Sequence, residues 1–128
     1  MRSLAFLLIL AGCAASGSSS IGDRDRAALE RDLAGRVAGE AESCAPTIQG
    51  QGLRVVDERT VVLDQGRTIW VNRLEGECPG LRPASTIVVE MHGSRYCRGD
   101  RFRSHEPGMT IPGGLCVLSE WTPYRRPR

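Results

Sequence analysis

The chain is predicted to fold as a mainly β domain, a small antiparallel meander that forms a barrel or a sandwich, with one short helix before it. After Cys44, short runs rich in β-branched residues alternate with turn residues, which is the pattern of consecutive strands. Before Cys44 there is one amphipathic segment with a helical repeat. Short strands joined by tight turns favour antiparallel pairing of neighbours.

The helix is predicted within residues 23–43, where apolar side chains recur at every fourth position as Leu29, Leu33, Val37 and Ala41. Asp23 is placed to act as the N-cap, and Asp32 and Arg36 are spaced to form an ion pair on the helix surface. Gly35 weakens a helix by about 1 kcal/mol relative to alanine, so a break is expected there.

Six strands are predicted: Leu53–Val56, Thr60–Leu63, Thr68–Arg73, Ser85–Met91, Arg95–Arg103 and Leu115–Trp121. Residues that favour turns separate several of them, namely Asp57-Glu58-Arg59, Asp64-Gln65-Gly66 and His92-Gly93-Ser94. No internal repeat is visible, and the length is that of a single domain.

The N-terminus has the layout of a secretory signal of the lipoprotein type. Arg2 precedes the apolar run Leu4–Leu10, and Leu10-Ala11-Gly12-Cys13 matches the bacterial lipobox at all four positions. We predict a signal peptide over residues 1–12, lipid attachment at Cys13 and a flexible tether over 13–22, followed by the folded domain at 23–124. The apolar run is far shorter than the roughly 20 residues of a membrane-spanning helix. Bacterial lipoproteins, which this pattern resembles, use aspartate after the cysteine for the inner membrane, so Ala14 favours the outer membrane.

Four further cysteines, Cys44, Cys78, Cys97 and Cys116, are an even number in a chain predicted to be exported, and two disulfides are expected. Four cysteines allow three pairings. The preferred prediction joins Cys78 to Cys97 and Cys44 to Cys116. Because no two cysteines have the C-x-x-C spacing of zinc sites, neither a metal nor a cofactor is predicted.

All 17 basic residues are arginines, and 15 acidic residues leave a net charge of +2. This balance argues against nucleic acid as a partner, which requires a concentrated basic face. The arginines are scattered except in the tail at residues 125–128. Trp121 and Tyr124 are predicted to lie in the core, the alternative being an exposed aromatic and cationic patch for lipid phosphates or an envelope polymer.

Several motifs resemble a family of small exported bacterial proteins classed as a domain of unknown function. The resemblance covers roughly residues 33–124, and its most specific element is the N-R-L…C-P-G-L stretch from Asn72 to Leu81. Other parts are Leu33-Ala34-Gly35-Arg36, Val56-Asp57-Glu58-Arg59-Thr60-Val61, Trp70-Val71, Cys97-Arg98-Gly99-Asp100 and Cys116-Val117-Leu118. It implies an exported β-rich domain with paired cysteines, and it supplies no activity.

Residues for a hydrolase could be assembled from Ser94 or Ser104, His92 or His105, and Asp100, but no local nucleophile motif supports them. Carboxylates for glycoside cleavage could come from Glu90, Asp100 and Glu106. Arg98-Gly99-Asp100 spells an adhesion tripeptide, which we interpret as a turn or a strand irregularity. No catalytic residue is predicted from these patterns.

The favoured hypothesis is a non-enzymatic envelope lipoprotein, anchored by lipid and facing the periplasm, that binds an envelope protein or polymer or has a structural role. One alternative is a small envelope hydrolase whose site forms only in the fold. Another is an accessory subunit of an envelope complex, for which the sign is an exposed apolar patch. A concave pocket in which a histidine contacts a serine or carboxylate would favour the enzyme.

Overall fold

A computed structural model describes residues 20–128 of the chain. It contains one helix, α1 (Asp23–Leu33). The strands are β1 (Val37–Ala38), β2 (Cys44–Pro46), β3 (Arg54–Asp57), β4 (Thr60–Asp64), β5 (Thr68–Arg73), β6 (Thr86–Glu90), β7 (Arg95–Cys97), β8 (Arg101–His105), β9 (Leu115–Val117) and β10 (Trp121–Arg125).

The strands form three antiparallel sheets. The largest has five strands in the order β1-β10-β5-β4-β3, the second has the order β6-β8-β9, and β2 pairs with β7. The predicted mainly β, antiparallel fold with one N-terminal helix is therefore confirmed. Over residues 20–128 the sheets do not close into a barrel, so the barrel alternative is wrong.

The five-stranded sheet lies between two apolar cores, because its central strands are buried on both faces. Along β4, Val61 and Leu63 belong to one core and Val62 to the other. On one side Leu29 of α1 packs against the sheet. On the other side the sheet meets Phe102, which projects from β8 in the three-stranded sheet. The alternation of side chains along an extended strand is what divides β4 between the two cores.

The helix ends at the predicted break, just before Gly35. It ends at Leu33, and Gly35 follows with a φ of 74°, a left-handed conformation that glycine adopts without strain. Val37, predicted on the apolar stripe, instead pairs with Arg125 in the sheet. Gly22 occupies the N-cap position without a side-chain cap, so the predicted cap at Asp23 is wrong.

The predicted ion pair between Asp32 and Arg36 is also wrong. The Arg36 guanidinium donates to the Asp32 backbone oxygen, at 3.0 Å, and the Asp32 carboxylate pairs with Arg54 at 3.3 Å. Since the helix ends at Leu33, Arg36 lies outside it and its side chain is free to reach the turn between β4 and β5.

Two predicted strands are each divided in the structure. The run Arg95–Arg103 is broken by a turn in which the Asp100 Oδ2 accepts a hydrogen bond from the Cys97 N–H at 2.8 Å. The run Leu115–Trp121 is broken at Ser119, where the chain passes from the three-stranded sheet to the five-stranded sheet. In both places a side-chain hydrogen bond satisfies backbone groups that would otherwise continue a strand.

Asn72 fixes that second break, and sequence reasoning missed this role. The residue is fully buried in β5. Its side-chain amide donates to the Ser119 carbonyl at 2.7 Å, and its carbonyl oxygen accepts from the Ser119 N–H at 3.0 Å. The amide of Asn72 thus replaces a missing strand partner for Ser119 and joins the two sheets.

Candidate binding site

Cys13 and the predicted signal peptide lie outside the described residues. Within residues 20–128, no helix has both the length and the apolar character needed to cross a bilayer. The predicted tether ends at 22, and the described part of it is attached to the domain: the Ser20 hydroxyl donates to Asp23 at 2.6 Å, and Gly22 is buried beside Asp57.

The chain enters the domain through a charged network at the turn between β3 and β4. Arg26 of α1 pairs with Asp23 and, at 3.2 Å, with Asp57. Burial raises the pKa of the Asp57 carboxyl, but hydrogen bonds from the Arg59 N–H, from Arg26 and from Thr60 outweigh burial and hold this pKa below its ordinary value. The network therefore holds the beginning of α1 against the sheet most firmly when Asp57 is ionised.

Two disulfides are present, and their connectivity differs from the preferred prediction. Cys44 is bonded to Cys97 and Cys78 to Cys116. The prediction failed because β2 pairs with β7, which places Cys44 directly opposite Cys97 with their Cα atoms 4.0 Å apart. Cys78 then lies against Cys116 of β9 inside the core between the sheets.

Two of the candidate hydrolase residues, His92 and Asp100, are brought together, but the serines are not part of this pair. His92 Nδ1 lies 3.3 Å from Asp100 Oδ1, but the His92 side chain is 77% exposed and the Asp100 carboxylate also holds its own turn. Ser104 and His105 are consecutive in β8 and project from opposite faces of that strand. Among the described residues, no hydrogen bond joins a serine hydroxyl to a histidine ring.

The carboxylates considered for glycoside cleavage are engaged elsewhere. Glu90 pairs with Arg101 at 3.0 Å and Glu106 with Arg82 at 3.0 Å, and both pairs are partly exposed. In the region that the structure covers, there is no group of three histidine, cysteine, aspartate or glutamate residues placed to hold a metal ion.

The residues of the adhesion tripeptide and of the aromatic patch are not arranged for the kinds of binding considered above. Asp100 is buried in its turn, as the interpretation of Arg98-Gly99-Asp100 as a turn predicts. Arg98 pairs with Glu75 and Glu120. Trp121 is fully buried, which confirms its prediction as a core residue, and Tyr124 is half-buried against the second core.

The three-stranded sheet has an exposed face that carries apolar side chains and arginines, and we call it the outer face. Cross-strand partners form its rows: Val88, Arg103 and Leu115 lie side by side, as do Glu90, Arg101 and Val117. Val88, Leu115 and Val117 are 54%, 45% and 51% exposed. Sequence reasoning missed this face, because β6 reads TIVVE and its apolar residues do not alternate with polar ones.

The loop between β8 and β9 extends this apolar character. It carries Met109 and Ile111, both exposed. The loop is held at its end, since the Gly113 N–H donates to the Ser104 carbonyl at 2.7 Å and Arg103 donates to the Gly113 carbonyl at 3.4 Å. Exposed apolar residues that cluster on one sheet and its loop are typical of protein interaction surfaces.

A groove of about 500 Å³ adjoins the outer face along β9. Its walls are the segment 74–79 and the edge of β9, and the Cys78–Cys116 disulfide lies at its base. β9 is an edge strand of its sheet, so its outward backbone groups have no strand partner among residues 20–128. Leu115 and Val117 line the groove and also belong to the outer face.

No protein-family profile, curated protein or solved structure matches the chain. The resemblance to a family of small exported bacterial proteins therefore stays a prediction, and function has to be inferred from the surfaces described above.

Proposed function

We propose that this protein is an exported, lipid-anchored binding module without catalytic activity, and that its outer face binds another protein of the cell envelope. The lipobox at Cys13 supports the anchor. Two disulfides support folding in an oxidising compartment outside the cytoplasm. The observation that carries the binding function is the outer face, with its exposed Val88, Leu115 and Val117.

The chemistry of the face defines the partner. Arg101 is neutralised by Glu90, whereas Arg103 lies between Val88 and Leu115 and, within residues 20–128, donates only to a loop carbonyl. A complementary surface is apolar and places a carboxylate opposite Arg103. The free edge of β9 and the adjoining groove can also accept an extended segment of the partner, which would pair with the strand.

The binding function is tested with two matched charge substitutions in the mature protein. Leu115→Asp places a charge on the outer face, and because Leu115 lies beside Arg103, the new carboxylate gains a partner and we expect the fold to be retained. Ile48→Asp makes the same change at a similarly exposed apolar position in the loop after β2 (49% against 45% exposed).

Proteins captured from cross-linked envelopes are compared by quantitative mass spectrometry. We expect the wild type and Ile48→Asp to capture an envelope protein that Leu115→Asp does not capture. Purified, that protein should bind Leu115→Asp at least tenfold more weakly than Ile48→Asp. If both variants retain the same set of proteins, the outer face is not the binding surface.

The anchor is tested separately. The full chain expressed in bacteria should incorporate a palmitate probe, and Cys13→Ala should abolish the labelling and release the protein from the membrane fraction. Equal labelling of the two proteins would contradict lipid attachment at Cys13.

A further inference from the structure

The five-stranded sheet brings arginines that are distant in the sequence to one of its ends. Arg36 immediately precedes β1, whose Val37 lies opposite Arg125 of β10. Arg125 in turn lies opposite Thr68, the first residue of β5, which Arg67 precedes. Three neighbouring strands therefore each contribute an arginine to this end, and Arg126 and Arg128 continue directly from β10. We call these residues the arginine edge: Arg36, Arg67, Arg125, Arg126 and Arg128.

Two members of the arginine edge are held in place by the fold. The Arg36 guanidinium donates to the Arg67 and Gly66 carbonyls at 2.9 and 2.8 Å, which joins the region before β1 to the turn before β5. The Arg125 guanidinium carbon lies 5.5 Å from the centre of the Trp70 ring, a cation–π arrangement. These contacts reduce the conformational freedom that binding would otherwise have to remove.

The charge of the arginine edge is not neutralised by the fold. Arg67, Arg126 and Arg128 are exposed, and none of them pairs with a side-chain carboxylate within residues 20–128. Two carboxylates belong to adjoining elements: Asp32 pairs with Arg54, and Asp64, which accepts from the Gly66 N–H at 2.8 Å, keeps its charge but is a single carboxylate beside five arginines.

We infer that the arginine edge is a binding site for a polyanion that carries phosphate groups along a chain. Guanidinium groups bind phosphate through two parallel N–H donors, and such charge-assisted bonds are stronger than neutral ones. Neighbouring strands are about 4.8 Å apart, so three strands spread the arginines over about 10 Å before the tail adds further length. That span exceeds one phosphate and fits successive phosphates of a polymer.

The place where the chain enters the domain argues for a polymer over the phosphates of the anchoring membrane, a step that rests on the proposed lipid anchor. Ser20 lies beside Asp57, at the turn between β3 and β4. β5 runs from Thr68, at the arginine edge, to Arg73, which lines the same pocket as Ser20. Six extended residues cover about 17 Å, so the arginine edge lies at the far end of the sheet from the tether.

The test uses two triple variants of the mature protein that lose the same three charges. The site variant is Arg67→Gln, Arg126→Gln, Arg128→Gln. The control variant is Arg24→Gln, Arg73→Gln, Arg103→Gln, which removes exposed arginines from α1, from the opposite end of β5 and from the outer face. None of the six residues packs in a core, and matching melting temperatures will confirm that both variants fold.

Binding to long-chain inorganic polyphosphate is measured by calorimetry at several salt concentrations. We expect the site variant to bind at least tenfold more weakly than wild type and to lose part of the salt dependence, because fewer counterions are released. The control should change less than threefold. Equal weakening of both variants would show general attraction to positive charge and would overturn the site.

A second arm uses vesicles of one part phosphatidylglycerol to three parts phosphatidylcholine. The proposal expects polyphosphate to bind and vesicles to bind weakly or not at all. Binding to vesicles without binding to polyphosphate overturns the polymer in favour of a membrane surface. The outer face is tested separately with Leu115→Asp. A failure of the polyphosphate experiment therefore leaves the proposed protein-binding function intact, and a failure of the Leu115→Asp experiment leaves the arginine edge intact.

Discussion

Removal of each disulfide in turn should reveal which of two effects dominates, loop entropy or core packing. The two bonds close loops with sequence separations of 53 and 38 residues. The chain-entropy relation assigns about 4 kcal/mol to each and favours the longer loop by only about 0.3 kcal/mol. Cys78 and Cys116, however, are buried in the core, at 2% and 9% exposed, whereas the Cys44 and Cys97 side chains are half-buried.

Replacing a buried sulfur by hydrogen costs about 1 kcal/mol in lost packing. Cys78→Ala/Cys116→Ala should therefore lower the free energy of unfolding by about 6 kcal/mol, and Cys44→Ala/Cys97→Ala by about 4 kcal/mol. Since small domains have only about 5–15 kcal/mol of stability, the first variant lies near the limit of folding. The order is the reverse of the order that loop length alone predicts.

The assay is guanidinium unfolding of both double variants and of the wild type without reductant, followed by far-ultraviolet circular dichroism. Trypsin digestion of the unreduced wild type checks the starting connectivity, because the cysteines fall in four separate peptides and Arg82 is protected by Pro83. The expected linked pairs are 37–54 with 96–98, and 74–95 with 104–125. A larger loss of stability in Cys44→Ala/Cys97→Ala, or peptides 74–95 and 96–98 linked together, would refute the reasoning.

Three further predictions concern single residues. Gly113→Ala should lower the stability by about 1–3 kcal/mol, because its Cβ would lie 2.5 Å from the Ser104 hydroxyl oxygen. The control Gly114→Ala, whose Cβ would have nothing within 4 Å, should change the stability by under about 0.5 kcal/mol, so equal melting temperatures of the two variants would contradict this. Asn72→Ala should cost about 2–4 kcal/mol in chemical unfolding, because it leaves the half-buried N–H and carbonyl of Ser119 without their side-chain partner. A neutral result would remove the role of Asn72 in joining the sheets. The pKa of Asp57 is lowered on folding, so the stability that Asp57 contributes is present above the unfolded pKa of about 3.9 and is lost as the pH falls through the folded pKa. Asp57→Asn should therefore reduce the loss of stability in acid titrations. An unchanged slope of stability against pH would show that other groups cause this loss.

The sequence predicted those parts of the fold that depend on local pattern. The bounds of β5 are those predicted, and β4 differs by one residue, because β-branched residues between clear turns encode a strand locally. The strand position of Val37 was less predictable than the end of α1, because it depends on pairing with Arg125, far along the chain. The disulfide connectivity failed for the same reason, because it depends on a pairing between β2 and β7 that no local pattern encodes.

The candidate surfaces were the least predictable part, because each one is made by strand order. Arg36, Arg67 and Arg125 appear scattered in the sequence and become neighbours only when β1 and β5 flank β10. The exposure of Val88 becomes visible only when β6 pairs with β8 and its neighbours Ile87 and Val89 turn inward. What the residues did indicate correctly was the kind of chemistry available, namely arginine without lysine and paired thiols.

The candidate surfaces lie at different places on the domain. The chain enters at the turn between β3 and β4, the arginine edge lies at the other end of the five-stranded sheet, and the outer face belongs to a different sheet. Since residues of the proposed polyanion site and of the proposed protein site come from separate sheets, one molecule can engage both partners without competition. The segment after β5 is joined to β9 by the Cys78–Cys116 bond at the base of the β9 groove, and Asn72 of β5 binds Ser119 at the passage between the sheets, so a ligand at either surface meets a domain whose layers are held together. Binding of polyphosphate and of the envelope protein should therefore be independent, with each affinity unchanged by saturation at the other site, and a change of more than threefold would show that the layers move.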